Sequence, residues 1–266
     1  MNYKNSISNK IKQNLYFSKD FDLETLNELG FFVLKNAFKK KNLEKYIFKI
    51  KNLIKKKDII KTNLHSVEYK IHEFNFFKKI LDEKELKKIV KNFYGGNVGA
   101  DFFRVIKKDA LNTSKVFCHQ DTGYQIGSFE RYSLFIALTK NNYSNGGLIL
   151  YPCTHKIGYL GDAGEISKNV TKKFVKIKTD LNIGDVLIMH SALWHESGVN
   201  KKKTDRIYFE IHIQSSEEPT TRYNILGKRK KSLNINLNFK KIFSNSRKQR
   251  IKNFQKQILN FKNKQN

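Results

Sequence analysis

Cysteine is nearly absent from the 266-residue chain, which holds Cys118 and Cys153 and no other. Two thiols so far apart exclude a disulfide scaffold and a Cys-x-x-Cys metal or redox motif, and they suit a reducing compartment. Long apolar runs are missing as well. No stretch approaches the ~20 residues that cross a bilayer, and the first residues are polar with no hydrophobic signal core behind them. The sequence therefore reads as a cytoplasmic protein with no transmembrane segment. Arginine is scarce, at seven against 45 lysines. Acidic residues vanish after Glu218: residues 219–266 hold 14 Lys and Arg and no Asp or Glu, half of the formal charge of +28.

Taken alone, that charge points to an acidic partner such as nucleic acid, an anionic membrane surface or a phosphorylated substrate. The excess of lysine beside abundant Asn and Ile is also what an A-rich coding sequence produces, and lysine lacks the planar fork of specific phosphate recognition. In the tail, Ile251, Phe254, Ile258 and Phe261 recur at helical spacing. Residues 219–266 thus read as a basic, partly helical C-terminal extension covering the core, with nucleic-acid or anionic-membrane contact as the alternative. Core material is ample, with 39% hydrophobic residues, 21 Phe and 12 Tyr, and the length fits one large domain.

The first hundred residues mix helical and extended patterns. Leu23, Leu26 and Leu29 predict a helix over 22–29 that Gly30 stops, and Phe-Phe-Val-Leu at 31–34 is β-prone. Leu43, Tyr46, Ile47, Ile50 and Leu53 give a helix over 42–55 one apolar face. Leu81, Leu86, Ile89, Val90 and Phe93 predict a third helix over 80–93, ended by Gly95-Gly96. From about 98 to 214 the texture changes to strand-length runs at 102–106, 115–119, 132–138, 147–151, 174–178, 185–190 and 206–213. Seven short strands predict a sandwich or barrel. The class is α+β, mainly β: one domain over 1–218, with a helical layer at 1–97 packed on one sheet of a β core at 98–214. The link 153–173 has no strand character and carries Gly158, Gly161 and Gly164, as loops bordering a site do.

Chemistry concentrates at the end of the 115–119 strand. His119 and Asp121 flank Gln120, so both project from one face if the strand persists through them. One further histidine would complete a facial set of two imidazoles and one carboxylate, which leaves open positions on a divalent iron. His190 and His195 are the candidates, and Arg206 follows on the next strand. An arginine in a chain that otherwise uses lysine implies a need for a fixed, bidentate fork.

Here the sequence resembles the phytanoyl-CoA dioxygenase family of Fe(II)- and 2-oxoglutarate-dependent oxygenases. That pattern is His-x-Asp, then His-x-Ser-x-x-Asn, then an Arg about eleven residues beyond the second His. His119 and Asp121, then His195, Ser197, Asn200 and Arg206, fit it. Asn145-Gly146-Gly147-Leu148 and Pro152-Cys153-Thr154-His155-Lys156-Ile157-Gly158 resemble two further family stretches, and Leu29-Gly30-Phe31-Phe32-Val33-Leu34-Lys35 its opening strand. The likeness covers about residues 22–214 in the family's order, with Cys153 standing where the family has a turn glycine.

The resemblance implies a double-stranded β-helix (jelly-roll, cupin-like) core. It implies Fe(II) on His119, Asp121 and His195, with 2-oxoglutarate and O2 as cosubstrates. Arg206 would clamp the distal carboxylate of 2-oxoglutarate, helped by Ser197, with Gln120 reaching the cosubstrate from the metal strand. Arg104, Lys107 and Lys108 are further cations near that carboxylate, and no spacing rule selects among them. Asp121 occupies the position that related halogenases leave to chloride, so hydroxylation of a small-molecule substrate, with decarboxylation to succinate and CO2, is expected. Tyr124, Gln125 and Arg131, just past the ligand strand, are candidate substrate contacts. An anionic substrate such as a CoA thioester or nucleotide-sugar is one form of this reading. His190 reads as a core residue, His155 as pocket wall, Trp194 as packing beside the site and Asn200 as a loop-orienting amide, while His212 has no assigned role. The competing reading is a non-catalytic β-helix binding module whose basic tail engages nucleic acid or an anionic surface.

Overall fold

Along residues 206–214, Ile207, Phe209, Ile211 and Ile213 alternate with Arg206, Tyr208, Glu210, His212 and Gln214. A strand with that period shows an apolar face to one side and a polar face to the other. In the computed structural model, which describes residues 11, 13–55, 67–68, 74–109, 114–124, 128–160, 165–202, 204–228, 249 and 252–253, this segment lies inside the larger of two sheets.

The strands among the described residues are β1 (Phe17–Ser18), β2 (Phe31–Leu34), β3 (Val67–Glu68), β4 (Val98–Lys108), β5 (Val116–His119) and β6 (Tyr132–Ala137), followed by β7 (Leu148–Leu150), β8 (Ile177–Lys178), β9 (Val186–His190), β10 (His195–Ser197), β11 (Arg206–Ser215) and β12 (Tyr223–Leu226). The larger sheet runs β1-β2-β9-β6-β11-β4-β12, with β3 also on β4, and the smaller runs β5-β10-β7-β8. The helices are α1 (Leu23–Leu29), α2 (Lys40–Lys55), α3 (Phe74–Lys78), α4 (Lys84–Val90) and α5 (Lys168–Thr171).

Two apolar clusters follow from the alternation. On one face of the larger sheet, Ile207, Phe209, Ile211 and Ile213 join Leu134, Ile136, Val186 and Ile188 and meet Leu43, Tyr46 and Ile50 of α2 and Leu86 and Ile89 of α4. Tyr46 sets its ring edge-on to Phe209 with centroids 5.3 Å apart. On the other face, Phe31, Phe135, Leu187, Met189 and Tyr208 pack with Leu148 and Leu150 of the smaller sheet. The result is a mainly β, jelly-roll-like body with one sheet face covered by helices and the other facing the second sheet.

Local signals set both ends of α1. Asp22 caps α1 by accepting from the Thr25 amide at 3.2 Å, and the amide of Gly30, at φ 82°, returns to Leu26. The helix expected over 80–93 is broken instead. Lys79–Asp82 form a 3-10 turn, Glu83 is extended at ψ 136°, and α4 starts after it. The Glu83 carboxylate accepts from Tyr46 Oη at 2.8 Å and Lys45 Nζ at 2.6 Å, so contacts to α2 hold the break that apolar spacing alone does not register.

Two further differences concern strands. The run expected at 174–178 pairs only over Ile177–Lys178. The boundary expected at 218 falls one strand early, because β12 pairs with β4 and one compact unit runs to Lys230. Residues 231–266 form a second unit in which the described residues 249, 252 and 253 are helical; most of the tail helix expected there lies outside the described residues. Among the described residues, no helix is long and apolar enough to cross a membrane.

Gly184 joins the turn before β9 to the segment before α2: its carbonyl accepts from the Phe38 amide at 2.9 Å. It has φ 90°, and a Cβ there would lie 2.2 Å from the Phe38 carbonyl oxygen. Gly184→Ala should therefore lower unfolding stability by more than about 1 kcal/mol. Urea unfolding checks this, and an unchanged midpoint would count against it.

Candidate active site

Antiparallel pairing of β5 with β10 sets His119 directly across from His195, and their ring centroids lie 4.3 Å apart. Asp121 follows at the start of a 3-10 turn, Asp121–Tyr124, anchored by its amide and that of Thr122, which donate to the Ser191 carbonyl at 2.8 and 3.2 Å. Asp121 Oδ1 lies 3.5 Å from Nε2 of each histidine.

The far atoms of all three side chains are held. His119 Nδ1 lies 2.8 Å from the Phe117 carbonyl and His195 Nδ1 lies 2.9 Å from that of Leu193. A carbonyl only accepts, so each Nδ1 carries the proton and each Nε2 presents its lone pair to the shared point. Ser133 Oγ donates to Asp121 Oδ2 at 2.9 Å, leaving Oδ1 for the same point. His195 and Asp121 are buried, and the ligand atoms of the three residues all lie within 4.8 Å of one another.

Burial by itself would raise the Asp121 carboxyl and lower the His195 imidazole. Their mutual attraction outweighs it, holding Asp121 well below the usual carboxylate range and drawing His195 upward. The point between them thus favours a positive charge. Two imidazole nitrogens and one carboxylate oxygen converging there are the donor set that suits Fe(II).

A second polar group lies across β11 and β4, where Arg206 is paired with Lys108. Both are buried, and among the described residues neither has a carboxylate partner. Arg206 lays its guanidinium over the Tyr208 ring, 4.8 Å from the centroid, and its Nε has no hydrogen-bond partner among the described residues. Lys108 Nζ donates to Ser197 Oγ at 2.8 Å and to the Gly198 carbonyl at 2.6 Å. Burial, with the Arg206 charge second, pulls the Lys108 ammonium down to about 6. Gly146, at φ 84°, lets the Asn-Gly turn close on this lysine, since a Cβ there would lie 2.9 Å from Lys108 Cδ. A buried guanidinium, a buried amine and a serine hydroxyl, with no acid paired to them among the described residues, are groups that suit an anion.

The three β4 cations left open by spacing are separated by their partners. Lys108 joins Arg206, Lys107 pairs with Asp109 at 2.8 Å and Asp205 at 3.3 Å, and Arg104 pairs with Glu210. The pleat makes this division, because Lys107 lies opposite Ile207 and on the other face from Lys108.

Several expectations are corrected. Gln120 does not face Arg206 and Lys108: its Nε2 donates to the carbonyls of Gly158 and Ala192, both at 2.8 Å, and its Oε1 accepts from the Leu160 amide at 3.1 Å. The same alternation that aims His119 and Asp121 inward turns Gln120 to the loop. Arg131 is buried in a structural network, donating to Asp101 at 3.2 Å and to Thr220 at 3.0 Å, and so is not a substrate contact. Tyr124 closes the turn after Asp121, and Gln125 lies outside the described residues.

His190, expected as a core residue, is buried. Its Nδ1 accepts from the Ala192 amide at 3.0 Å, and burial pulls its imidazole down to about 4. His155 does not line the metal site; its Nε2 lies 3.0 Å from the Asn27 carbonyl of α1 and its ring 5.4 Å from that of His190. Trp194 packs on Phe174 with centroids 4.9 Å apart, and Asn200 Nδ2 holds the Thr204 carbonyl at 2.7 Å. Cys153 adopts φ 65°, so the turn keeps its left-handed residue without the glycine. Sequence reasoning missed Ser133, which no pattern marks, and passed over Glu210 and His212, whose alternation with apolar residues was the signal available.

The profile of the family described as Phytanoyl-CoA dioxygenase (PhyH) matches residues 26–207. No curated protein sequence matches. Among solved structures, the non-heme alpha ketoglutarate dependent epimerase SnoN from nogalamycin biosynthesis aligns with a TM-score of 0.65 at 12% identity, over 79% of this chain and 85% of that one. EctD from S. alaskensis, with 2-oxoglutarate and 5-hydroxyectoine, gives 0.62 at 16% identity over 77% of each chain. AviO1 from Streptomyces viridochromogenes Tue57 gives 0.59 at 18% identity over 73% of this chain and 93% of that one. At these identities the likeness to solved structures is one of fold.

Removing the hydroxyl in Ser133→Ala should weaken divalent-metal affinity about tenfold or more, as the loss of an outer partner of a metal ligand does. His119→Ala and Asp121→Ala should abolish it. Mn(II) titration followed by water-proton relaxation measures both effects; tight Mn(II) binding by the two alanine variants would remove these residues as ligands.

Proposed function

The chain belongs to the phytanoyl-CoA dioxygenase family of Fe(II)- and 2-oxoglutarate-dependent oxygenases, and on that premise we propose that it hydroxylates a small molecule while 2-oxoglutarate is decarboxylated to succinate and CO2. In this reading Fe(II) is held by His119, Asp121 and His195, and the distal carboxylate of 2-oxoglutarate by Arg206, Lys108 and Ser197. The observation that carries the cosubstrate assignment is the buried Arg206 and Lys108 without a carboxylate partner among the described residues. The buried Arg206 guanidinium lacking an anion costs several kcal/mol, of order 3–5, which a bound dicarboxylate offsets.

Held by His119, Asp121 and His195, Fe(II) would supply the activation of O2 on which oxidation of the substrate depends. The protein supplies geometry and exclusion of water. The carbonyls of Phe117 and Leu193 hold the two imidazoles in the tautomer that leaves Nε2 available, and Ser133 holds the carboxylate rotamer. Arg206, placed over the Tyr208 ring, offers a guanidinium fork, and Lys108 adds an amine steadied by Ser197 and Gly198 that can take up a proton. Burial of all three keeps water from competing for the carboxylate. The alternative of a non-catalytic binding module draws no support from a complete, outer-braced ligand set.

Lys108 also gives the reading a pH signature. In the free site its ammonium is held at about 6, so it is largely neutral above that pH, and an incoming carboxylate favours the charged form. Binding of 2-oxoglutarate at pH 7.5 should therefore take up close to one proton, with affinity falling as pH rises. Calorimetry in buffers of different ionisation enthalpy reads that uptake, which Lys108→Met should eliminate; uptake persisting in the variant would exclude Lys108 as its source.

Purified protein with Fe(II), 2-oxoglutarate and O2 should form succinate, and a chelator should stop it. Arg206→Ala should raise the 2-oxoglutarate requirement by about tenfold to a hundredfold, the value of a charged hydrogen-bonded pair, with Mn(II) affinity nearly unchanged. An unchanged requirement would take Arg206 out of the clamp.

A further inference from the structure

The polar face of β11 continues beyond the Arg206 and Lys108 pair. Past Arg206 and Tyr208 it carries Glu210 and His212, and Arg104 of β4 lies directly opposite Glu210. Ile207, Phe209 and Ile211 occupy the helix-covered face, so the polar residues are turned to the side that holds the site. Arg104 Nε donates to Glu210 Oε2, and His212 Nε2 lies 2.8 Å from Glu210 Oε1. Ligand atoms of Asp121, Glu210 and His212 fall within 4.8 Å of one another, so this cluster adjoins the metal set through Asp121.

The cluster is ill suited to a second cation, because Arg104 already engages Glu210 and Asp121 is committed to Ser133 and two imidazoles. It is equally ill suited to a hydrocarbon chain. An alkyl group laid against the cluster offers no donor to Glu210, a buried carboxylate whose oxygens keep lone pairs beyond those that Arg104 and His212 use. A carboxylate has about four lone-pair positions, and the contacts to Arg104 and His212 take one on each oxygen. The group that fits is a donor that brings no charge, since Arg104 already balances Glu210. That description is a hydroxyl. Two half-buried rings accompany it: Phe102, on the same face of β4, lies 5.0 Å from the His212 ring, and Phe117, on the ligand face of β5, lies 5.5 Å from the His119 ring. Apolar ring faces beside a few fixed hydrogen-bonding groups suit a compact molecule with C–H faces and hydroxyl edges.

We propose that Arg104, Glu210 and His212, with Phe102 and Phe117, form the recognition site for the part of the substrate next to the oxidised carbon, and that this part is a neutral, polyhydroxylated ring of the saccharide type. Glu210 is the residue that determines this specificity, by accepting from a substrate hydroxyl. The inference rests on the oxygenase reading above and names the substrate class for the same site.

The test uses binding rather than turnover. Full-length protein loaded with Mn(II) and 2-oxoglutarate is titrated with the methyl glycosides of the common hexoses and pentoses, and separately with octanoyl-CoA and with L-lysine. Paramagnetic enhancement of probe-proton relaxation reports approach to the metal. At least one glycoside should show saturable enhancement, and Glu210→Gln and Arg104→Gln should each weaken it about tenfold or more. Water-proton relaxation and circular dichroism show whether each variant keeps its metal and fold, and Arg104→Gln carries the test if Glu210→Gln does not fold. Enhancement confined to octanoyl-CoA or lysine, none with any glycoside, or glycoside binding undiminished in folded variants would overturn the proposal. Failure of the unaltered protein to bind Mn(II) or 2-oxoglutarate would instead remove the oxygenase reading itself, and this inference with it.

Discussion

The pairing of β5 with β10 is the constraint on which the site depends. It places His119 opposite His195 although 75 residues separate them in the chain, and it does so with only a few ladder positions. So short a ladder has little stability of its own. It is held by what surrounds it: the Ser191 carbonyl accepting from the Asp121 and Thr122 amides, β7 pairing on the other side of β10, and Gln120 tying the strand end to Gly158, Ala192 and Leu160. Gln120 thus acts on the geometry of the metal set from the face turned away from it.

Charge is organised around the same constraint. The polar face of β11 and β4 carries two differently compensated groups, four residues apart along each strand. Glu210 and Arg104 neutralise each other beside the metal set, whereas Arg206 and Lys108 stand together without a carboxylate partner among the described residues. Burial, and after it the neighbouring Arg206 charge, lowers the Lys108 ammonium. The site is therefore strained toward binding an anion, and fold stability elsewhere must carry that cost. The outer face of the larger sheet supplies it, where Phe209 and its neighbours meet Tyr46 and the other apolar residues of α2 and α4.

Much of this was legible in the sequence because it is local or periodic. The capped helix from Asp22 to Gly30 and the alternation of β11 depend on neighbours within a few residues. The His-x-Asp and His-x-Ser spacings and Arg206 were readable for the same reason. What was not legible depends on contacts across the chain. The break at Glu83 answers to Lys45 and Tyr46 on another helix. The strand that carries His195 and Ser197 is three residues long, too short for any period, and exists because β5 and β7 flank it. Arg131 looked like a loop residue near substrate and is a buried tie to Asp101 and Thr220.

By itself, then, the sequence determined the class of fold, the residue types able to bind a divalent metal, and the arginine to which the proposed carboxylate clamp is assigned, since spacing and composition are properties of the chain. Only the tertiary structure decided which of Arg104, Lys107 and Lys108 stands beside Arg206, that Gln120 faces a loop, and that Glu210 and His212 adjoin Asp121. Those choices turn on which face of a pleated strand a side chain occupies and on what lies opposite it, and both depend on pairing partners tens of residues away.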